Sequence, residues 1–243
     1  MKRLPIGTFV NMATIAVGSM IGLMLQQVLP DNIQAVVFQA LALGILIIGV
    51  QMALKLKDEM LLIFIFSLML GGILGEILGV KLFLDSCEIW INNNFYFFEQ
   101  KRVSEGLIAA FVLFCASPIT IVGAIEEGFQ NKRELLLIKS LLDGITAVAL
   151  ASSYGAGGVL VCIIPMLFIQ GGITLLAGIF KDLFAQLFTK NIIALISGVG
   201  GALLIALALK ILVKEELVVA NLLPALLVVI LLSWGYNRLK VRV

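Results

Sequence analysis

The chain has 243 residues, of which 61% are hydrophobic and only 13% charged, with a formal net charge of +2 and a mean hydropathy of +1.15. A water-soluble domain is roughly 25% charged and about 45–50% apolar, so no soluble fold could hide this much apolar surface, whereas a bilayer can. The mild charge excludes a nucleic-acid partner held through phosphates, and with no histidine and three scattered cysteines, no metal site or cofactor is expected.

A membrane-crossing helix needs about 20 mainly apolar residues. By that rule the sequence predicts an all-α, polytopic transmembrane bundle of about eight spans forming a single integral membrane domain over residues 1–243. The spans run approximately over 5–26, 33–54, 60–80, 104–127, 136–154, 158–179, 191–212 and 217–236. The first has the basic start of a signal peptide (Lys2, Arg3) but no short apolar stretch with a cleavage site, so it reads as a retained helix. Span three carries Gly71, Gly75 and Gly79 at four-residue spacing, a face suited to close helix contact and, between chains, to a homo-oligomer. Between spans three and four, residues 81–103 place Trp90, Phe95, Tyr96, Phe97 and Phe98 beside charged residues. This pattern fits either a segment lying in the outer interface or a small ordered loop helix. Spans five and six are separated only by Tyr154-Gly155-Ala156-Gly157-Gly158, a tight turn.

Charge distribution orients the bundle. With the N-terminus inside, the cytoplasmic segments hold Lys2, Arg3, Lys55, Lys57, Lys132, Arg133, Lys139, Lys181, Lys190, Arg238, Lys240 and Arg242, twelve of the 17 basic residues. The positive-inside rule therefore predicts both termini in the cytoplasm, which an even span count requires. A weak internal echo also runs through the chain. Asn11, Thr14 and Gly18 of span one repeat as Gln170, Thr174 and Ala177 of span six, and Ala53-Leu54-Lys55 repeats as Ala208-Leu209-Lys210. Spans one to three would thus echo spans six to eight in opposite orientation, an inverted repeat of the kind found in secondary transporters; chance similarity between apolar stretches is the competing account.

Polar groups within spans are expensive and tend to face the bundle interior. Ser117, Thr120, Ala124 and Glu127 share one helical face of span four, and Ser140, Asp143, Ala147 and Ala151 share one of span five. An antiparallel pair joined near residue 131 would bring Asp143 opposite Ser117 and Thr120. Pro118 cannot give an N–H to the Phe114 carbonyl, which in lipid then needs another partner. Two readings follow: a binding pocket of Asp143, Thr120, Ser117 and Pro118 partway into the membrane, or a proline kink satisfied by hydroxyls with Asp143 paired to Lys139. Glu127 could line an entrance or sit at the solvated boundary with Glu126, Lys132 and Arg133. Asn11 and Gln170 suit interhelical hydrogen bonding or solute binding. Cys115 and Cys162 read as small apolar fillers.

The run Phe114-Cys115-x-x-Pro118-x-Thr120-x-x-Gly123-x-Ile125, with Glu127-Gly128, Lys139-Ser140-x-x-Asp143-Gly144, Gln170-Gly171-x-x-Thr174, Gly7-Thr8-x-Val10-Asn11 and Gly75-Glu76, resembles the YqgA/YdfK-like bacterial membrane proteins over nearly the whole chain. The resemblance implies a bacterial inner-membrane protein in a family of unknown function. Some members carry Asp where this chain has Glu127, which keeps the carboxylate.

The expected function is transport of a small solute or ion, with the site between spans four and five; a lone mid-depth carboxylate would suit a cation, free or as coupling ion. A membrane scaffold or regulatory protein is the alternative. An enzyme is not expected. Asp143-Gly144-x-x-Ala147 opens like the CDP-alcohol phosphotransferase motif, but Val148 and Val161 replace the arginine and a metal-binding aspartate that the motif needs.

Overall fold

The computed structural model describes residues 4–28, 30–94, 103–115, 117–182, 184, 188–213 and 217–240, and among these every regular element is helical. In chain order they are α1 (Ile6–Val28), α2 (Asp31–Ala53), a 3-10 turn (Asp58–Met60), α3 (Leu61–Ile77), α4 (Val80–Asn94), α5 (Val103–Cys115), α6 (Pro118–Gln130) and α7 (Glu134–Tyr154). There follow α8 (Ala156–Val161), α9 (Ile163–Met166), a π-helical segment (Leu167–Gly171), α10 (Gly172–Ile179), α11 (Lys190–Val213), a second 3-10 turn (Val219–Leu222) and α12 (Ala225–Lys240).

Five described stretches are long and apolar enough to cross a membrane: Ile6–Val28, Asp58–Ile77, Glu134–Tyr154, Ala156–Ile179 and Lys190–Lys210. A sixth forms if α5 and α6 count as one span bent by 48°, and shorter apolar helices, Ala42–Ala53 and Val219–Gly235, lie where the remaining two were predicted. The outer surface is apolar like the interior, unlike that of a soluble protein. Asn11, Gln170 and Thr120 are fully buried, while Leu62, Ile77, Leu141, Ile145 and Phe168 are exposed. That is the arrangement of a helical membrane protein, whose outer surface dissolves in lipid and whose polar groups must find partners within.

By internal contact the chain divides into two compact units, each built from two separate stretches. One comprises Met1–Leu41 with Asp85–Phe184, the other Ala42–Leu84 with Ala185–Val243.

In the first unit, α1 and α7 lie side by side in the same direction: Gly7 meets Leu136, Gly18 meets Gly144 and Ala147, and Gly22 meets Val148 and Ala151. At Gly18 and Gly22 the neighbour is the α7 backbone itself, the carbonyls of Gly144 and Val148, closer than a side chain on either glycine would permit, while Gly7 leaves room for the Leu136 side chain. The stripe of small residues is thus what lets two helices approach without a hydrophobic driving force. The chain enters α7 through Asn131, whose left-handed φ of 59° closes α6, and leaves it through Gly155 at φ 93°. The predicted glycine-rich turn is therefore this one residue. Gly158 is already helical, and its missing side chain leaves room for the backbone of Val103 and Leu107. Span four, expected as a continuous helix with a proline kink, is two helices. Ser117 caps α6 and Pro118 is in its first turn, where a missing N–H costs nothing.

In the second unit α11 runs antiparallel to the C-terminal part of α2. Gly49 and Gly201 face each other, and Ser197 Oγ donates to the Met52 carbonyl at 3.3 Å. The α3 helix packs antiparallel against the chain from Asn221 to Ala225: Gly71 touches Ala225 and Gly75 touches the Asn221 backbone. Gly79 is the left-handed turn residue after α3, at φ 62°. Gly71 and Gly75 are thus packed against the chain's own backbone, and Gly79 sits in a turn. Glu76 accepts from Asn221 Nδ2 at 2.5 Å, and Asn221 Oδ1 in turn accepts the Lys81 backbone N–H at 2.9 Å. One amide thereby ties Glu76 to the start of α4. Residues 80–94 of the aromatic loop are helical; Phe95, Tyr96, Phe97 and Phe98 lie outside the described residues.

Candidate functional site

The deepest polar chemistry lies in the first unit, where α1, α7 and the π segment meet. Asp143 is 3% exposed, and its two oxygens have different partners. Lys139, one helical turn earlier on α7, donates to Oδ1 as a buried ion pair. Asn11 of α1 donates from Nδ2 to Oδ2 at 2.9 Å. The same Nδ2 also donates to Gln170 Oε1 at 3.1 Å and lies 3.5 Å from the Met166 sulfur. A continuous chain, Lys139–Asp143–Asn11–Gln170, therefore crosses three elements with no solvent access. The Lys139 ammonium has two further contacts: the Leu113 carbonyl at 3.2 Å and the face of the Phe114 ring, 5.7 Å from its centroid. A buried ammonium needs such company, since its hydration is gone.

The sixth span is irregular where it meets this chain. Pro165 has no N–H to offer the Val161 carbonyl, and α8 ends at Val161. Helical winding then loosens to a π turn over Leu167–Gly171, which contains Gln170. Wide turns of this kind are infrequent and occur often at functional sites, because they re-aim a side chain and loosen the backbone bonds around it.

A second acid stands nearby. Glu127 of α6 is 1% exposed. Its Oε1 accepts the Gly7 backbone N–H at 3.0 Å and Arg133 Nε at 3.0 Å. Gly7 is in the first turn of α1, whose N–H groups have no partner within the helix, so Glu127 answers one of them and lies at the positive end of the helix dipole. Arg133 is about one-third exposed and connects this acid to the α6–α7 turn.

The candidates read from sequence thus separate into two groups. Asp143, Asn11, Gln170 and Glu127 all converge on the N-terminal half of α1. Asn11 and Gln170, which sequence alone left between helix packing and binding, are bonded to one another. Thr120 goes elsewhere: its hydroxyl donates to the Phe114 carbonyl at 2.6 Å, satisfying the very group that Pro118 leaves without a partner. Ser117 is half-buried, and as the residue before α6 it makes no side-chain capping bond. The expected opposition of Asp143 to Ser117 and Thr120 is accordingly replaced. Asp143 faces α1, and the polar centre gathers Asn11, Asp143 and Gln170 of spans one, five and six, with Glu127 of span four beside them at the start of α1. The reason is that the antiparallel α6–α7 pair packs through Gly123 against Leu135 and Leu136, while the small face carrying Asp143 and Gly144 is taken by α1.

Lys139, expected towards the cytoplasm, is 4% exposed, and Pro165 and the π segment are features that the span pattern alone does not reveal. Pro165 had a visible signal: Cys162-x-x-Pro165 repeats Cys115-x-x-Pro118, and a helix breaks at each. Cys115 and Cys162 are both buried free thiols. Among the described residues no group of three or more Cys, Asp and Glu side chains is placed to hold a metal ion.

Comparison with known proteins follows the same lines. An uncharacterised protein, YqgA of Escherichia coli (strain K12), is 34% identical over 236 residues, covering 96% of this chain and 97% of that protein. An uncharacterised membrane protein, YdfK of Bacillus subtilis (strain 168), is 31% identical over 224 residues, covering 91% and 93% respectively. No solved structure matches the chain. The family model described as "Protein of unknown function (DUF554)" matches residues 6–234, and the chain belongs to that family.

Proposed function

We propose that this protein is an inner-membrane carrier for a small polar solute, with eight spans and both termini in the cytoplasm, and that its site is the polar centre around Asn11, Asp143, Gln170 and Glu127. The observation that carries this reading is the fully buried chain Lys139–Asp143–Asn11–Gln170 ending in a π-helical segment. Structural helix contacts in membranes use one polar pair or small residues; four linked polar side chains at a loosened helix are the usual equipment of a substrate path.

An inverted repeat of spans one to three and six to eight would suit a carrier, and the packing within each unit is consistent with one. In the first, α1 and the sixth span pass antiparallel, with Asn11 at Gln170 and Thr8 near Gly171. In the second, spans two and seven pass antiparallel at Gly49 and Gly201, and spans three and eight at Gly71 and Ala225. Each predicted repeat partner therefore packs against its counterpart in opposite orientation. The acid–glycine pairs extend the pattern: Gly144, after Asp143, lies on Thr14 of span one, and Gly128, after Glu127, lies on Thr174 of span six. Thr14 and Thr174 are the matched threonines of the echo.

A membrane scaffold remains the second reading, favoured by one observation: Lys139 already neutralises Asp143, as a purely structural pair would. Currents on a solid-supported membrane separate the two. Liposomes with wild type, Gln170→Met and Asp143→Asn would be challenged with ions, amino acids and small organic acids. A solute-dependent current that disappears in folded variants supports the carrier. Folded protein that passes no solute in the panel favours the scaffold.

A further inference from the structure

The amide chain fixes more than its own bonds. The Asp143 carboxylate can only accept, so Asn11 must present Nδ2 to it; the same Nδ2 donates to Gln170, so Gln170 must present Oε1. Turning either amide over would set acceptor against acceptor or donor against donor. The free ends are therefore determined: Asn11 Oδ1, an acceptor, and Gln170 Nε2, a donor, are buried without a partner. Two more buried atoms share that condition beside them, Thr8 Oγ1 and Glu127 Oε2.

The residues that carry these atoms gather around the first turns of α1. Gly7, Thr8 and Asn11 lie within about one turn of α1, where residues three and four apart are neighbours. Glu127 is bonded to the Gly7 N–H, and Thr8 Cγ2 lies 3.6 Å from where a side chain on Gly171 would begin. Elsewhere in this unit the hydroxyls of Thr14, Ser140 and Thr174 satisfy themselves on carbonyls of their own helices. Ser19 and Ser153 also lack partners, but they stand further along α1 and α7.

Charge narrows what could complete the cluster. Asp143 has Lys139 and Glu127 has Arg133, so both acids are already balanced. A ligand with net charge would enter a low-dielectric site with no counter-charge left for it. We infer that Thr8, Asn11, Glu127 and Gln170 bind a small zwitterion of the α-amino-acid type. Its ammonium faces Glu127 Oε2, Asn11 Oδ1 and Thr8 Oγ1, and its carboxylate accepts from Gln170 Nε2. The assignment deepens the carrier reading and rests on it for the route by which solute arrives.

The test is binding to the purified full chain in nanodiscs, read as the shift in thermal unfolding midpoint. The probes are the amino acids with uncharged side chains, added singly, against methylammonium, choline, Na⁺, acetate and lactate. At least one amino acid should raise the midpoint of wild type, with apparent affinity falling roughly tenfold in Thr8→Val and in Gln170→Met, each of which removes one hydrogen bond to the ligand. Thr8→Val is nearly isosteric and breaks no recorded bond, so it keeps the test meaningful if Gln170→Met folds poorly. A response confined to the cations or to the anions overturns the zwitterion assignment, as does no response to any amino acid. Amino-acid binding unchanged in both variants overturns the site. Amino-acid binding without flux in vesicles upholds the site and removes the carrier reading instead.

Discussion

Removing Lys139 or Asp143 singly should be far more damaging than removing both. Their side chains are each 5% exposed, so either one left alone is an ion without water. In Lys139→Met the carboxylate keeps only the Asn11 amide, and the cost expected for an orphaned buried charge is about 3–5 kcal/mol. In Asp143→Leu the ammonium retains the Leu113 carbonyl and the Phe114 ring, weak substitutes for a carboxylate, and the cost is again about 3–5 kcal/mol. The double variant Lys139→Met/Asp143→Leu removes both charges and leaves the Leu113 carbonyl without the Lys139 donor and Asn11 with Gln170 as its remaining amide acceptor, a loss of roughly 1–3 kcal/mol. The cycle should therefore give a coupling energy above about 3 kcal/mol, the double variant being more stable than either single one. Reversible unfolding in SDS–detergent mixed micelles measures all four corners. Additivity within about 0.5 kcal/mol would refute the reasoning, since it would mean that the two charges do not depend on each other.

Other expectations follow from the packing and the breaks. Gly18→Ala should destabilise the first unit by roughly 1–3 kcal/mol, because its methyl would strike the Gly144 backbone, whereas Gly44→Ala, with nothing within 4 Å, should be neutral or slightly stabilising in the same assay. Gly75→Ala should lower the thermal midpoint by pressing on the Asn221 backbone, while leaving the mass in detergent measured by light scattering unchanged, since that face is used within the chain. Thr120→Val should cost about 1 kcal/mol by stripping the Phe114 carbonyl of its donor and Thr120→Ser should restore it, with neither changing solute-dependent currents. Reporter fusions at the C-terminus should give a cytoplasmic signal; a periplasmic one would overturn the even span count.

The sequence by itself determined the solvent of this protein and most of its helices. Composition demanded a bilayer, and runs of about 20 apolar residues marked the spans, because hydrophobic length is a local property that needs no partner to express. It also marked the polar residues that the fold brings together around α1. Asp143, Glu127, Asn11 and Gln170 stand out in apolar runs, where their cost makes each one conspicuous. What it could not supply was their grouping. The face of span five and, within α6, the face of Thr120, Ala124 and Glu127 were legible, but which face meets which helix depends on where small residues allow backbones to close. The Gly18–Gly144 contact gave Asp143 to α1, and with it to Asn11, 132 residues away in sequence, which is itself 159 residues from its other partner, Gln170. Likewise Pro118 announced a freed carbonyl, but only the fold showed Thr120 answering it and the helix broken there. The glycines of α3 were legible as a contact surface and not as a contact, for the same reason: a smooth helix face states that something packs closely, and tertiary structure alone decides what.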